Sequence, residues 1–338
     1  MPGGLKVVYD MIAPIIKKCA AQVNDGPCTG YVGPTGSGNY VKIIHNGIKY
    51  GNMQLIGEVY GIMRHVFKLS NDEMADIFTE WKKTELNCYL IEIMSKILPK
   101  KDDLTGKRHV LDYVGTGRWT IPEAAERSVA APTMAATLDA RYISTRTDER
   151  VRASTILKGP EVEVPVNKAQ LVDDFKHALY ASKVCSYAQG LGIIKGCSGD
   201  MNWDVNLSEC ARLWKGGCII RAALFQKIQD ALARDSKLPN LILDPAITGE
   251  LNERTSTWHR VIATAIVYGI STPALSGSLN YFDSYRRASL PANMTQAQCD
   301  FFGGHTYERT DRGGVFHTEW TDVHKSIGDI SERMGGNV

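Results

Sequence analysis

The chain has 338 residues, enough for one large domain or two ordinary ones. Its 43 % hydrophobic and 22 % charged residues exclude a disordered or collagen-like chain. A formal net charge of +2 makes no case for nucleic acid or an anionic membrane as partner. No stretch reaches the ~20 uncharged apolar residues of a membrane span. The start, MPGGLKVVYDMIAPIIKKC, is interrupted by Lys6, Asp10 and Pro14 and does not read as a signal peptide. Eight cysteines are scattered without a C-x-x-C pair, which speaks against a metal site and for a reduced, cytoplasmic chain.

The first strong element is residues 39–65. Val41, Ile44, Ile48, Leu55, Val59 and Ile62 form one helical stripe. Glycines at 47, 51, 57 and 61 would be costly on an exposed helix, so another backbone is expected to approach there. SNDEMADIFTEWKK follows, with Ser70 or Asn71 as cap and acids in the first turn, and then LNCYLIEIMSKIL. Residues 121–144 read as helical on both sides of Pro132. EVEVPV, 161–166, is the best of few strand-like runs. Long helical patterns cover 168–196 and 206–235, and 256–271 completes the set.

The architecture expected is therefore all-α, with no strand–helix alternation and no dinucleotide-binding fold. A repeat is visible as well. Tyr50-Gly51 and its glycines echo Tyr180-Ala181, and each copy leads to an Asn-led helix ending in Trp-Lys, at Trp81-Lys82 and Trp214-Lys215. We read residues 1–302 as one helical domain of two pseudo-repeats, about 39–155 and 168–290. Residues 303–338, rich in Gly, Thr, Arg and His, read as an arm, because Phe316 and Trp320 would be costly in a free tail.

Lys42, His45, Asn46 and Lys49 form the candidate motif. At about 100° per residue they share one face of the 39–65 helix, with Tyr50 beside them. A polar stripe of this kind is either a solvated face or a site. GNYVKIIHNGIKYGNMQL closely resembles the signature of 6-phosphogluconate dehydrogenase, G-H-[YF]-V-K-M-V-H-N-G-I-E-Y-G-D-M-Q-L. The resemblance runs from MPGG at the start through GTGRWT, LDARYIS, ALYASKVCSYAQG, LWKGGCIIR and YGISTPALSGSLNYFDSYR to QAQCDFFGGHTYER and GVFHTEW.

That resemblance implies an all-helical substrate and dimerisation domain. It also implies NADP-dependent oxidation of 6-phosphogluconate at C3, loss of CO₂, and protonation of the enediol to ribulose 5-phosphate. Lys42 matches the family's base-then-acid, His45 and Asn46 match substrate contacts, and Tyr50 and Arg141 match phosphate ligands. His305 matches a histidine that reaches the partner subunit's pocket. The family's enediol-protonating Glu is Lys49 here, its substrate-binding Lys is Val114, and a phosphate-binding Arg is Cys299. Asn52 stands for an Asp. Neither Val114 nor a neutral Cys299 can replace a charge-assisted bond to phosphate.

No cofactor platform is evident: the Gly33–Gly38 loop fits neither a P-loop nor a dinucleotide turn. On these departures we expect no cofactor to be bound by this chain alone, NADP being the family's. We expect a pseudoenzyme serving as a structural dimer subunit, joined through its helices and arm, in a larger assembly if any, without nucleic acid or membrane. The alternatives are an active or residual dehydrogenase whose nucleotide domain lies elsewhere, and a sugar-phosphate sensor.

Overall fold

The computed structural model describes residues 1–104, 106, 109–113, 129–162 and 167–320. In chain order these form α1 (Lys6–Cys19), β1 (Gln22–Val23), β2 (Gly26–Pro27), α2 (Ser37–His65), α3 (Asn71–Trp81), α4 (Tyr89–Ile97), α5 (Pro132–Thr145) and α6 (Thr147–Ile156). They continue with α7 (Lys168–Asp200), α8 (Leu207–Leu213), α9 (Leu224–Arg234), α10 (Pro245–Val267), α11 (Pro273–Tyr285), α12 (Ala292–Gly303), β3 (Tyr307–Glu308) and β4 (Val315–Phe316). Among the described residues the sheets are two antiparallel pairs, β1–β2 and β3–β4. The fold is all-helical, as the patterns predict. It divides into two compact units, Met1–Phe282 and Asp283–Val338.

The core of the first unit is the α2–α7 pair. On α2, Val41, Ile48, Leu55, Val59 and Ile62 are fully buried. On α7 every residue from Ala178 to Leu191 is buried, so this helix has no solvated face in its middle. Close approach depends on small residues. A Cβ on Gly51 would sit 2.8 Å from Ser186 Oγ, and one on Gly190 would press into the Ile48 side chain. Gly190→Ala should therefore cost about 1–3 kcal/mol by overpacking; equilibrium urea unfolding with an unchanged midpoint would refute this.

Gly47 and Gly51 do let neighbours in, but these are side chains and not the backbone expected: a Cβ at Gly47 would meet Met134 Sδ of α5 at 2.9 Å. Gly57 and Gly61 do not, since a Cβ there meets nothing within 4 Å. They lie on the side of α2 that borders an open groove, also lined by Gln54, Glu58, His65 and Gly269–Ser271.

Three other local expectations need correcting. Pro132 does not interrupt a helix but begins one: it is the first residue of α5, where its missing N–H is harmless, and Ala131 before it lies outside the helical region. Residues 121–128 lie outside the described residues. The 206–235 pattern is two helices, broken at Gly216–Gly217, with Gly217 at φ +65°. Residues 161–162 form no strand, and 163–166 lie outside the described residues. The cap at 70–73 is a full capping box: Ser70 accepts from Glu73 N, and the Glu73 carboxylate accepts from Ser70 N at 2.7 Å.

Helix α5 is fixed at its first turn. Gln189 of α7 accepts from Thr133 N at 3.1 Å and donates to Thr133 Oγ1 at 3.0 Å; Thr133 Oγ1 and Ser278 Oγ of α11 are 2.8 Å apart. α11 is itself held by α2, whose buried Glu58 carboxylate accepts from Ala274 N and Leu275 N at 2.9 and 2.8 Å. These bonds set where α5 runs along α2, and hence where Arg141 stands.

Candidate functional site

The Lys42–Tyr50 stripe is not an ordinary solvated face. Lys42 is exposed and Asn46, Lys49 and Tyr50 are half-buried, whereas His45 is only 1 % exposed. The His45 ring meets the Trp214 ring edge-on, with centroids 5.5 Å apart, and Trp214 packs on Phe225 at 5.7 Å. Lys42 Nζ lies 3.4 Å from His45 Nδ1.

Burial, and then the Lys42 charge, push the His45 pKa down from 6.5 to about 3; a hydrogen bond with Asn46 opposes this. The imidazole is neutral. With Lys42 donating to Nδ1, its proton sits on Nε2, which is buried without a partner among the described residues.

The pH consequence is specific. Between pH 6.5 and about 3 the unfolded chain takes up a proton that the folded His45 refuses. The stability His45 contributes is complete above pH 6.5 and is lost as the pH falls toward 3. His45→Gln should flatten the fall in melting temperature between pH 6.5 and about 4. Identical acid profiles for the two proteins would show that His45 is not held neutral.

The other end of the stripe is cationic. Lys49 Nζ sits 4.5 Å from the centroid of the Tyr50 ring, and the Arg141 guanidinium 4.9 Å from the same ring. Burial, then the charges of Lys42 and Arg141, lower the Lys49 pKa. Lys42, His45, Asn46, Lys49, Tyr50 and Arg141 are thus one constellation, built by α2 and α5 and backed by Trp214.

Trp214 is the contributor that the motif reading does not single out. It appears in the sequence as the end of a repeat, and its motif LWKGG gives no sign that its ring seals His45.

Val114 lies outside the described residues. Cys299 and His305 belong to the second unit. Cys299 is half-buried on α12, and His305 is exposed just past the helix end, its ring 5.7 Å from that of Phe302. The residues after α12 fold back on it through Asp300. This buried carboxylate accepts from Thr306 N (2.9 Å), Thr318 N (3.1 Å), Trp320 Nε1 (2.8 Å) and His317 Nδ1 (2.8 Å). Burial opposes its ionisation, but these four bonds override burial and hold the carboxyl well below the usual carboxylate range; in return the His317 pKa is raised.

A profile of the 6-phosphogluconate dehydrogenase C-terminal domain matches residues 38–320. The chain belongs to the 6-phosphogluconate dehydrogenase family. It is 51 % identical to the Arabidopsis thaliana "6-phosphogluconate dehydrogenase, decarboxylating 3, chloroplastic", over 96 % of this chain and 69 % of the relative. Identity to the Synechococcus elongatus "6-phosphogluconate dehydrogenase, decarboxylating" is 49 %, over 95 % and 70 %. The Plasmodium falciparum 6-phosphogluconate dehydrogenase, described in its apo form and in complex with NADP+ and with 6-phosphogluconate, superposes with a TM-score of 0.90. It shares 43 % identity and is matched over 95 % of this chain and 70 % of its own.

NADP does not fit the described residues by themselves. They contain no parallel sheet and no strand leading into a glycine-rich turn and helix, the arrangement that seats a pyrophosphate. Nor do they include a cluster of His, Cys, Asp and Glu suited to a metal. No helix among them is long and apolar enough to cross a membrane.

Proposed function

We propose that this chain is the substrate-binding part of a decarboxylating, NADP-dependent 6-phosphogluconate dehydrogenase. One observation carries the reading: Lys42 stands 3.4 Å from an imidazole kept neutral by burial and by that same lysine. A neutral ring nitrogen accepts a hydrogen bond from the lysine whether it is the free amine or the ammonium. As the free amine Lys42 can take the proton of a substrate hydroxyl, and as the ammonium so formed it can give that proton back, which is general base followed by general acid. His45 and Asn46 would orient the sugar chain, and Tyr50 and Arg141 would hold its phosphate.

The relatives, at about half identity over nearly the whole chain, are decarboxylating dehydrogenases. That favours this reading over the pseudoenzyme one, which rested on Lys49, Val114, Cys299 and the lack of a cofactor platform. Of the three substitutions, Lys49 bears on rate, and Val114 and Cys299 bear on substrate affinity. Without a positioned carboxylic acid for the enediol, turnover should be slow relative to the relatives, since such an acid contributes about 10²–10⁴-fold.

The dimer is part of the proposal. α12 exposes Met294, Phe301 and Phe302, and the fold-back held by Asp300 presents His305 beside them. A second copy of this chain is the partner we assign to that apolar face. As to compartment, the cytosol is one reading, and the chloroplastic relative makes a plastid equally compatible.

The test is NADPH formation from 6-phosphogluconate and NADP by the full-length protein. A slow, substrate-dependent rise in absorbance is expected. No NADPH from a folded protein that binds the sugar phosphate would return the pseudoenzyme reading.

A further inference from the structure

Three cations meet on one side of α2. Lys49 is half-buried within electrostatic reach of Lys42 and Arg141, and each of those two charges lowers its pKa. Neither Lys42 nor Lys49 has a carboxylate partner among the described residues: Lys42 contacts His45, and Lys49 lies over the Tyr50 ring. The Tyr50 hydroxyl makes no hydrogen bond among the described residues. Lys49 and Arg141 flank the same ring, at 4.5 and 4.9 Å from its centroid. Such a cluster is destabilised by its own repulsion and relieved by an anion.

Position says which anion. Seven residues at about 1.5 Å each place Lys49 roughly 10 Å along the axis from Lys42, a span that suits an extended six-carbon sugar phosphate. We infer that Lys49 is a phosphate ligand: with Arg141 it clamps the phosphate group across the face of Tyr50, whose hydroxyl donates to the same group, while Lys42 and His45 address the sugar chain. The inference rests on the substrate reading above and deepens it. Lys49 is not a proton donor to the reacting carbon but a specificity residue that makes the site demand a phosphorylated ligand. The positive charge that Val114 and Cys299 do not supply is supplied from α2 itself.

The experiment is calorimetric titration of the full-length protein with 6-phosphogluconate and with gluconate, for wild type, Lys49→Met and Lys49→Arg, at two salt concentrations. Loss of one charge-assisted bond to phosphate corresponds to about 10- to 100-fold in affinity. Lys49→Met should weaken 6-phosphogluconate by that factor, leave gluconate within about twofold, and reduce the salt dependence. Lys49→Arg should keep the wild-type values, which also guards against a folding defect. Equal weakening of both ligands, or no weakening of 6-phosphogluconate, would overturn the role of Lys49 while leaving the substrate reading in place. Wild-type protein that takes up neither ligand would overturn both.

Discussion

Replacing Lys42 by Met is expected to slow turnover of 6-phosphogluconate by the full-length protein about 10²–10⁴-fold. Affinity for the substrate should change by less than about tenfold. The asymmetry follows from the site. Lys42 is the exposed end of the stripe, and its neighbour His45 cannot take over the proton chemistry, because burial keeps the imidazole neutral at any pH above about 3. The proposed phosphate end, where Lys49 and Arg141 stand at the Tyr50 ring, would still hold the ligand. Steady-state kinetics separates the two effects: kcat falls with KM nearly unchanged. A Lys42→Met protein with wild-type kcat would remove Lys42 from the reaction.

The second large effect lies away from the site. Glu58→Ala should destabilise the protein by about 2–4 kcal/mol, since two buried backbone N–H groups lose a charged acceptor. Those groups, of Ala274 and Leu275, belong to the first turn of α11, where a carboxylate also meets the positive end of the helix. The loss should not stay local. α11 supplies Ser278, which bonds Thr133 at the start of α5, and α5 carries Arg141. Glu58→Ala should therefore also weaken sugar-phosphate binding at temperatures where the protein is still folded. Urea unfolding and calorimetry check the two parts; a wild-type unfolding midpoint would show that water replaces the carboxylate without cost.

These expectations differ in how far they could be read from the sequence. The stripe from Val41 to Ile62 and the glycine-containing turns of 39–65 place α2 to within two residues, because an amphipathic period over seven turns is a strong signal. The capping box at Ser70 and Glu73 is equally legible, being a local pattern. α1 is absent from the sequence reading although Val7, Met11 and Ile15 recur at helical spacing; the stripe they form is exposed, and Pro14 sits within the helix without ending it. The break between α8 and α9 turns on the left-handed backbone at Gly217, which an apolar period running through Gly216–Gly217 conceals.

The site divides in the same way. Spacing alone puts Lys42, His45, Asn46 and Lys49 on one face. It cannot say that His45 is sealed by Trp214 and neutral, since that contact joins two distant helical segments. Nor can it say that Arg141 and Lys49 share the Tyr50 ring, a pairing set by Gln189 and Glu58 through bonds remote from the motif.

A crystal structure of the full-length protein with 6-phosphogluconate bound tests the account most directly. The account predicts the phosphate within hydrogen-bond distance of Lys49 Nζ, Arg141 and the Tyr50 hydroxyl, with the sugar chain running along α2 to Lys42. A phosphate bound elsewhere, or a sugar chain that leaves Lys42 without a hydroxyl in reach, would contradict it.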